Sequence, residues 1–299
     1  MELISFICRL PLRAKISVGI IFVYSLVAVF GEISAAYYSF VDKEPEYNRV
    51  DLSCRYLPPL SKRILESGEK RFFLLGSDNL GRDVFRRIIQ GARIAFHVGV
   101  ITSLLAVPFG ALLGLLAGYF GRWVDAICTW LATTIAAIPA LLLILAISLV
   151  VGKGLLGIYV GISITPWGGF YRTVRAETMK HRNLGYVKAA QSLGYSTPRI
   201  LFRHILPNVM HILIIAFSIR FPGAVGTEMF MSFLGIGIQN EPSWGVMINN
   251  ARLRLWQGMW WEGVFVSLAV FFLVLSFNML GDVLREKLDP TTRGKNRAV

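Results

Sequence analysis

Apolar residues in this 299-residue chain gather into six long runs separated by polar, charge-rich segments. A helix that crosses a bilayer needs about 20 apolar residues at a rise of ~1.5 Å each. The runs are therefore read as spans over about 16–40, 95–120, 124–151, 155–170, 209–233 and 263–284. The pattern predicts an all-α polytopic membrane protein with about six transmembrane helices. The fourth run is short and glycine-rich, which leaves its ends loose. Pro108, Pro139, Pro166 and Pro222 lie within or beside spans. There, neighbouring helices or a cavity must satisfy the backbone groups they free. Gly110, Gly114 and Gly118, four apart, share one helix face and predict close packing of another helix.

One polar interruption has a pattern of its own. KAAQSLGYSTPRILFRHILPN, Lys188 to Asn208, sits between the fourth and fifth runs. Helices are expected over Tyr186–Leu193 and Arg199–Ile205, with Val187, Ala190, Leu193 and Ile200, Leu201, Ile205 as their apolar positions. Gly194 supplies a left-handed end to the first helix. Ser196 or Thr197 caps the second, with Pro198 at an early helical position. Pro207 is expected to end that second helix before the fifth span. The product is a basic amphipathic hairpin of the kind that docks into a partner's groove. The plainer alternative is a solvated connector.

Composition strengthens the membrane assignment. The chain is 55% hydrophobic with a mean hydropathy of +0.57. Its net charge of +13 would point to nucleic acid in a soluble protein. In a membrane protein, basic loops instead fix topology and face anionic lipid. Arg9, Arg13 and Lys15 precede span one. Arg172, Arg175, Lys180, Arg182, Lys188, Arg199 and Arg203 lie between spans four and five. Arg285, Lys287, Arg293, Lys295 and Arg297 follow span six. An even number of spans puts all three regions on one side, which the positive-inside rule makes cytoplasmic. The basic segment 41–93 would then lie outside; it is long, also carries acids, and weighs less in that rule. The start of the chain is read as an uncleaved anchor rather than a cleaved signal, because Glu32 interrupts the run before the small residues Ser34–Ala36. Cys8, Cys54 and Cys128 have no metal spacing, and no structural disulfide is expected.

Candidate chemistry is sparse. No G-x-x-x-x-G-K-[ST] occurs, and Gly152-Lys153-Gly154 lacks the spacing and the preceding strand, so no ATP hydrolysis of that kind is expected from this chain. His97, His181, His204 and His211 do not cluster in sequence, and no metal site is expected. Charges within spans are costly and therefore informative. These are Glu32, Arg220 and Glu228. Arg220 and Glu228 flank Pro222 and lie about 80° apart on a helix, so they either line a polar pathway or form an internal pair. Asp78, Arg82 and Asp83, just outside span two, either meet a delivered receptor or fix their own loop.

Five segments carry a family resemblance. Lys188-Ala189-Ala190, then Gly194, then Leu206-Pro207 resemble the EAA loop of bacterial ABC importer permeases. LGSDNLGRDVFRRIIQGARIAFHVG from Leu75, GRWVDAICTWLATTIAAIPALLLILAI from Gly121, SFLGIGIQNEPSWGVMI from Ser232 and FNMLGDVLREKLDP from Phe277 follow in family order. The chain thus resembles the C-type permease of the peptide/nickel (dipeptide/oligopeptide) ABC importer family. That implies a type I importer permease fold with an anchor helix and external loop over 1–90, a permease domain over 91–285 and a cytoplasmic tail over 286–299. The coupling loop would span about 171–208. The resemblance also implies an inner-membrane location, a second permease subunit, two cytoplasmic ATPase subunits that use the ATP, and an extracytoplasmic binding protein docking near Trp244 and the 236–261 loop. The chain itself would bind no cofactor. Peptide uptake is the leading substrate class; nickel or another small solute is the alternative, with a non-transporting scaffold or an ion channel ranked below. Lys188 stands where the family usually has Glu, and His204 where an apolar residue is common.

Overall fold

In the computed structural model, residues 11–64, 70–239 and 241–288 are described; Cys8 and the tail from 289 onward lie outside them. Most of the described residues are helical. The first helix, α1 (Leu12–Val41), is followed by a connecting segment with an antiparallel hairpin, β1 (Ser61–Ile64) and β2 (Lys70–Phe73), in the register Ser61↔Phe73. Then come α2 (Val84–Phe120), α3 (Arg122–Ala136), α4 (Ala140–Val151), α5 (Leu155–Ile164), α6 (Trp167–Arg182) and α7 (Gly185–Ser192). A continuous α8 (Thr197–Phe233), α9 (Trp244–Arg252) and α10 (Trp261–Leu288) complete the chain.

Four of these helices, α1, α2, α8 and α10, are long and apolar enough to cross a membrane, or five if the bent pair α3/α4 is one span. The predicted third and fourth spans are both interrupted at proline. The axes of α3 and α4 differ by 91° at a break that contains Pro139. The expected span 155–170 is not one helix: α5 is 10 residues long and stops at Thr165–Pro166, and α6 carries the chain on into charged residues. Pro108 and Pro222, in contrast, are absorbed inside α2 and α8.

The glycine stripe of α2 is a packing seam. A Cβ added at Gly110, Gly114 or Gly118 would stand 2.6, 2.9 and 2.7 Å from the carbonyl oxygens of Trp167, Tyr171 and Arg175 respectively. Only hydrogen at those positions lets the α6 backbone come so close. The contacts ascend together in both sequences, so α6 runs parallel to α2. At the same end α3 is tied on by Asp125, which accepts from Arg175 Nη2 at 2.6 Å, and by a Thr129–Tyr171 hydroxyl pair at 2.8 Å.

The main core lies where α2, α8, α9 and α10 meet. There Phe221 stacks on Phe277 at 3.9 Å and Trp244 is buried. Against α10, α1 runs antiparallel: Arg13 faces Glu286 at 3.5 Å, and the Tyr24 hydroxyl donates to the Ala269 carbonyl at 2.8 Å. The beginning of α1 and the end of α10 therefore share one end of the molecule. The hairpin formed by α7 and the start of α8 is at that same end, and the segment between α1 and α2, α9 and the start of α10 are at the other.

Candidate functional site: a seated hairpin and a groove beside it

The hairpin begins two residues after α6 ends. Gly194 adopts φ +74°, with Gly194 N–H bonded to Gln191 O at 3.0 Å and Tyr195 N–H to Ala190 O at 3.1 Å. This paired closure is the expected left-handed helix end. Ser196 sits at the cap position of the next helix without a side-chain cap bond, and Pro198 falls in its first turn.

Pro207 does not end that helix, contrary to the sequence expectation. A π-helical turn over Ile200–Ile205 moves the ladder by one residue, so that Leu206 N–H bonds to Leu201 O. A wider turn accommodates a residue that has no N–H and whose ring crowds the carbonyl four positions back. As a result the hairpin's second arm is continuous with the long helix α8.

The hairpin has two unlike faces. Val187, Ala190, Ile200, Leu201 and Ile205 are buried against Ala111 and Leu115 of α2 and Val174 of α6. Gln191 Nε2 also donates to the Tyr119 hydroxyl at 3.2 Å. The opposite face exposes Lys188, Ala189, Leu193, Gly194 and Phe202; Leu193 is 72% exposed. Arg199 lies over the Tyr195 ring at 5.0 Å, and that ring stacks on His204 at 5.6 Å. Of the predicted coupling residues, then, Lys188, Ala189, Gly194 and Pro207 are outward-facing, Leu206 is half-buried and Ala190 points into the chain. Leu193, expected among the hairpin's apolar positions with Val187 and Ala190, does not join their buried stripe, because the helix ends at Ser192 and turns it outward. Phe202 was not singled out; its one signal was a place off that stripe.

The two intramembrane charges on α8 are not paired. Arg220 Nη2 donates to the Ile162 carbonyl at 2.9 Å, holding α5 to α8. Glu228 is fully buried and accepts from Ser232 Oγ at 2.7 Å, in the turn that leads into α9. Among the described residues no ion pair joins them. Glu32 meets His97 at 3.2 Å and Arg93 at 3.6 Å, and Arg93 also pairs with Glu241.

Of the candidates beside span two and in the 236–261 loop, Asp78, Asp83 and Trp244 are buried and Arg82 is half-buried. Asp78 accepts from Leu80 N–H at 2.8 Å, Arg82 N–H at 2.9 Å and Arg82 Nε at 2.7 Å. Asp83 caps α2, accepting from Phe85 N–H at 2.9 Å. Burial pushes its carboxyl up from the ordinary value, against the opposite pull of Arg71 and the capping bonds. Trp244 Nε1 donates to the Ile88 carbonyl at 3.1 Å. Of the two readings left open for Asp78, Arg82 and Asp83, this geometry serves the loop-fixing one.

A groove of about 890 Å³ runs between α6 and α8, with Arg285 and Leu288 of α10 at its hairpin end. His181 and His211 both face it, although among the described residues no three metal-binding side chains converge. Cys54 and Cys128 are free and buried.

Three comparisons bear on this geometry. Residues 110–294 match the family model described as binding-protein-dependent transport system inner membrane component. The glutathione transport system permease protein GsiD of Pectobacterium atrosepticum is 39% identical over 76% of this chain and 75% of its own. The dipeptide permease DppC and the oligopeptide permease OppC of Bacillus subtilis are 38% and 36% identical; each aligns with 73% of this chain, covering 68% and 72% of their own. Among solved structures, the MetNI methionine ABC transporter matches 68% of this chain and 94% of its own with a TM-score of 0.50 at 18% identity, a likeness of fold.

Proposed function

The chain belongs to the inner-membrane components of binding-protein-dependent transport systems, and from that premise we propose that it is the permease subunit of an ATP-driven importer of short peptides. The relatives named for glutathione, dipeptide and oligopeptide transport support the substrate class. On this reading the chain is a non-catalytic subunit, binds no cofactor, and leaves ATP hydrolysis to two separate ATPase subunits. A second permease completes the pathway, and an extracytoplasmic binding protein delivers the peptide. The hairpin and both ends of the chain lie in the cytoplasm of a bacterial cell, with residues 1–90 as anchor and external loop, 91–285 as the permease domain and 286–299 as tail.

The observation that carries the reading is the two-faced hairpin. Its inner face is locked onto α2 and α6, while Leu193 and Phe202 are exposed on its two arms together with Lys188, Arg199 and Arg203. Apolar anchors among basic side chains fit a groove with acidic walls. When ATP draws the two ATPases together, a helix seated in such a groove must move with it. Because the second arm runs on into α8 without a break, that motion reaches the membrane directly.

The test is ATP turnover in proteoliposomes holding this chain, its partner permease, the ATPases and peptide-loaded binding protein. Leu193→Asp places a charge on the exposed anchor, so turnover stimulated by binding protein should be lost while the permease pair stays folded. Ala190→Asp buries a charge inside the chain and should instead lower the melting temperature of the permease pair. Stimulation unaffected by Leu193→Asp would reduce the hairpin to a connector.

A further inference from the structure

The groove between α6 and α8 is connected directly to the hairpin. Its two walls are the helices that enter and leave the hairpin. The first wall ends at Arg182, the hairpin helix begins at Gly185 and ends at Ser192, and the second wall begins at Thr197. Whatever moves the hairpin therefore changes the spacing of the walls. The groove extends from His181 back to Gly169, twelve residues or about 18 Å along the helix, more than half of a ~30 Å hydrocarbon core. It stops just short of the break at Thr165–Pro166, close to where Arg220 clamps the α5 carbonyl of Ile162. Its long axis thus runs from the hairpin to the level of that break.

The lining also has a definite chemistry. Deep in the groove the side chains are small or apolar, with Gly169, Thr173 and Ala216 giving room. Toward the hairpin it carries charges of both signs: Glu177 on one wall, with Lys180 on the same wall and Arg285 at the end of α10. Glu177 and Lys180 pair at 3.5 Å, with His181 Nε2 3.9 Å from the same carboxylate, but both side chains are partly open to solvent, so the charged ends of a solute can exchange into the pair. An anionic lipid would call for cations alone, and a purely apolar partner helix for none of these charges. A molecule with an ammonium at one end and a carboxylate at the other matches both. Weak, solvent-shared charges also suit a site from which a solute must leave.

We propose that this groove is the chain's wall of the cytoplasm-facing half of the solute path, and that it receives the main chain of a zwitterionic peptide, Glu177 taking the ammonium and Lys180 with Arg285 the carboxylate. The proposal rests on the importer reading and adds to it the location and recognition chemistry of the path. It also places the path beside, not through, Arg220 and Glu228, of which Arg220 Nη2 holds the Ile162 carbonyl and Glu228 accepts from Ser232 Oγ.

The test uses the assembled complex with Thr173→Cys, labelled by a membrane-impermeant thiol reagent applied from the cytoplasmic side. Labelling above the wild-type background is expected without nucleotide. Dialanine, with no binding protein present, should slow it about tenfold at saturation, and N-acetyl-dialanine amide, which has neither charge, should leave it unchanged. Glu177→Gln and Arg285→Gln should each weaken the protection by dialanine. A separate variant, Ala216→Trp, should block ATP-driven uptake of radiolabelled dialanine in complexes that assemble with the wild-type subunit composition. If Thr173→Cys is shielded in the complex, or labels equally fast with either peptide, the groove is covered by the partner permease or by lipid and the proposal fails. Import by Ala216→Trp at the wild-type rate would overturn it equally. These results are separable from failure of the importer reading, which would appear as absence of ATP-dependent uptake in the wild type.

Discussion

At the scale of single residues, most of the conspicuous polar side chains hold structure. Asp78 is the clearest case. Its side chain is 1% exposed and engages Arg82 directly, with Arg87 at 3.8 Å. Removing one partner of a buried ion pair leaves the other charge uncompensated, at a cost of about 3–5 kcal/mol. Asp78→Ala should therefore lower the melting temperature of the detergent-solubilised complex sharply. Binding of the extracytoplasmic receptor to whatever folded complex survives should be unchanged, which a pull-down on the folded fraction would check. The sequence placed Asp78, Arg82 and Asp83 beside a span but left their role undecided, because exposure has no linear signature. Glu228 was equally opaque. A carboxyl eight residues from an arginine on one helix reads as a possible pair, yet the serine four residues on, across one turn, takes it instead.

At the scale of elements, sequence and structure agree wherever periodicity or backbone chemistry is local. Gly110, Gly114 and Gly118 declared a seam, and the seam is there. Gly194 declared a left-handed helix end, and its φ is +74°. The disagreements fall at prolines. Pro207 was expected to stop a helix and is instead bridged by a π-turn, while Pro139 and Pro166 divide runs that hydropathy alone joined. Whether a proline breaks a helix depends on what lies beside it, and a linear pattern does not contain that. The seam gives a direct test. Gly114→Val would drive a Cβ to 2.9 Å from the Tyr171 carbonyl, against backbone that cannot swing aside. Overpacking of this kind costs about 1–3 kcal/mol. The melting temperature should fall, and Gln191 should separate from Tyr119 as the hairpin loses its seat; hydrogen exchange over 185–205 should rise. The same substitution at Gly169, where a Cβ meets nothing within 4 Å, is the control and should be close to neutral.

At the scale of the whole molecule, the opposed directions of α1 and α10 bring Arg13 beside Glu286, both side chains more than half exposed. Such a pair contributes at most ~1 kcal/mol, so it marks sidedness rather than securing it. Arg13→Cys and Glu286→Cys should react with an impermeant thiol reagent from the cytoplasmic side only, and Lys62→Cys on the β-hairpin from the outer side only. Labelling of Arg13→Cys and Lys62→Cys from one side would overturn the topology. The class of the molecule was legible at once in the spacing of its apolar runs. The hidden part was the way α6, α8 and the end of α10 enclose a groove, since that depends on contacts far apart in the chain. The glycine seam has one more consequence. By joining α2 and α6 backbone to backbone it makes the two helices a single beam, with the hairpin resting at one end. The α2 member is 37 residues long, about 55 Å, so a tilt of about 5° at the hairpin sweeps the far end through about 5 Å. That far end carries the Asp83 cap and the Asp78 clasp, so on the importer reading a small turn at the hairpin becomes a readable displacement of the loop there.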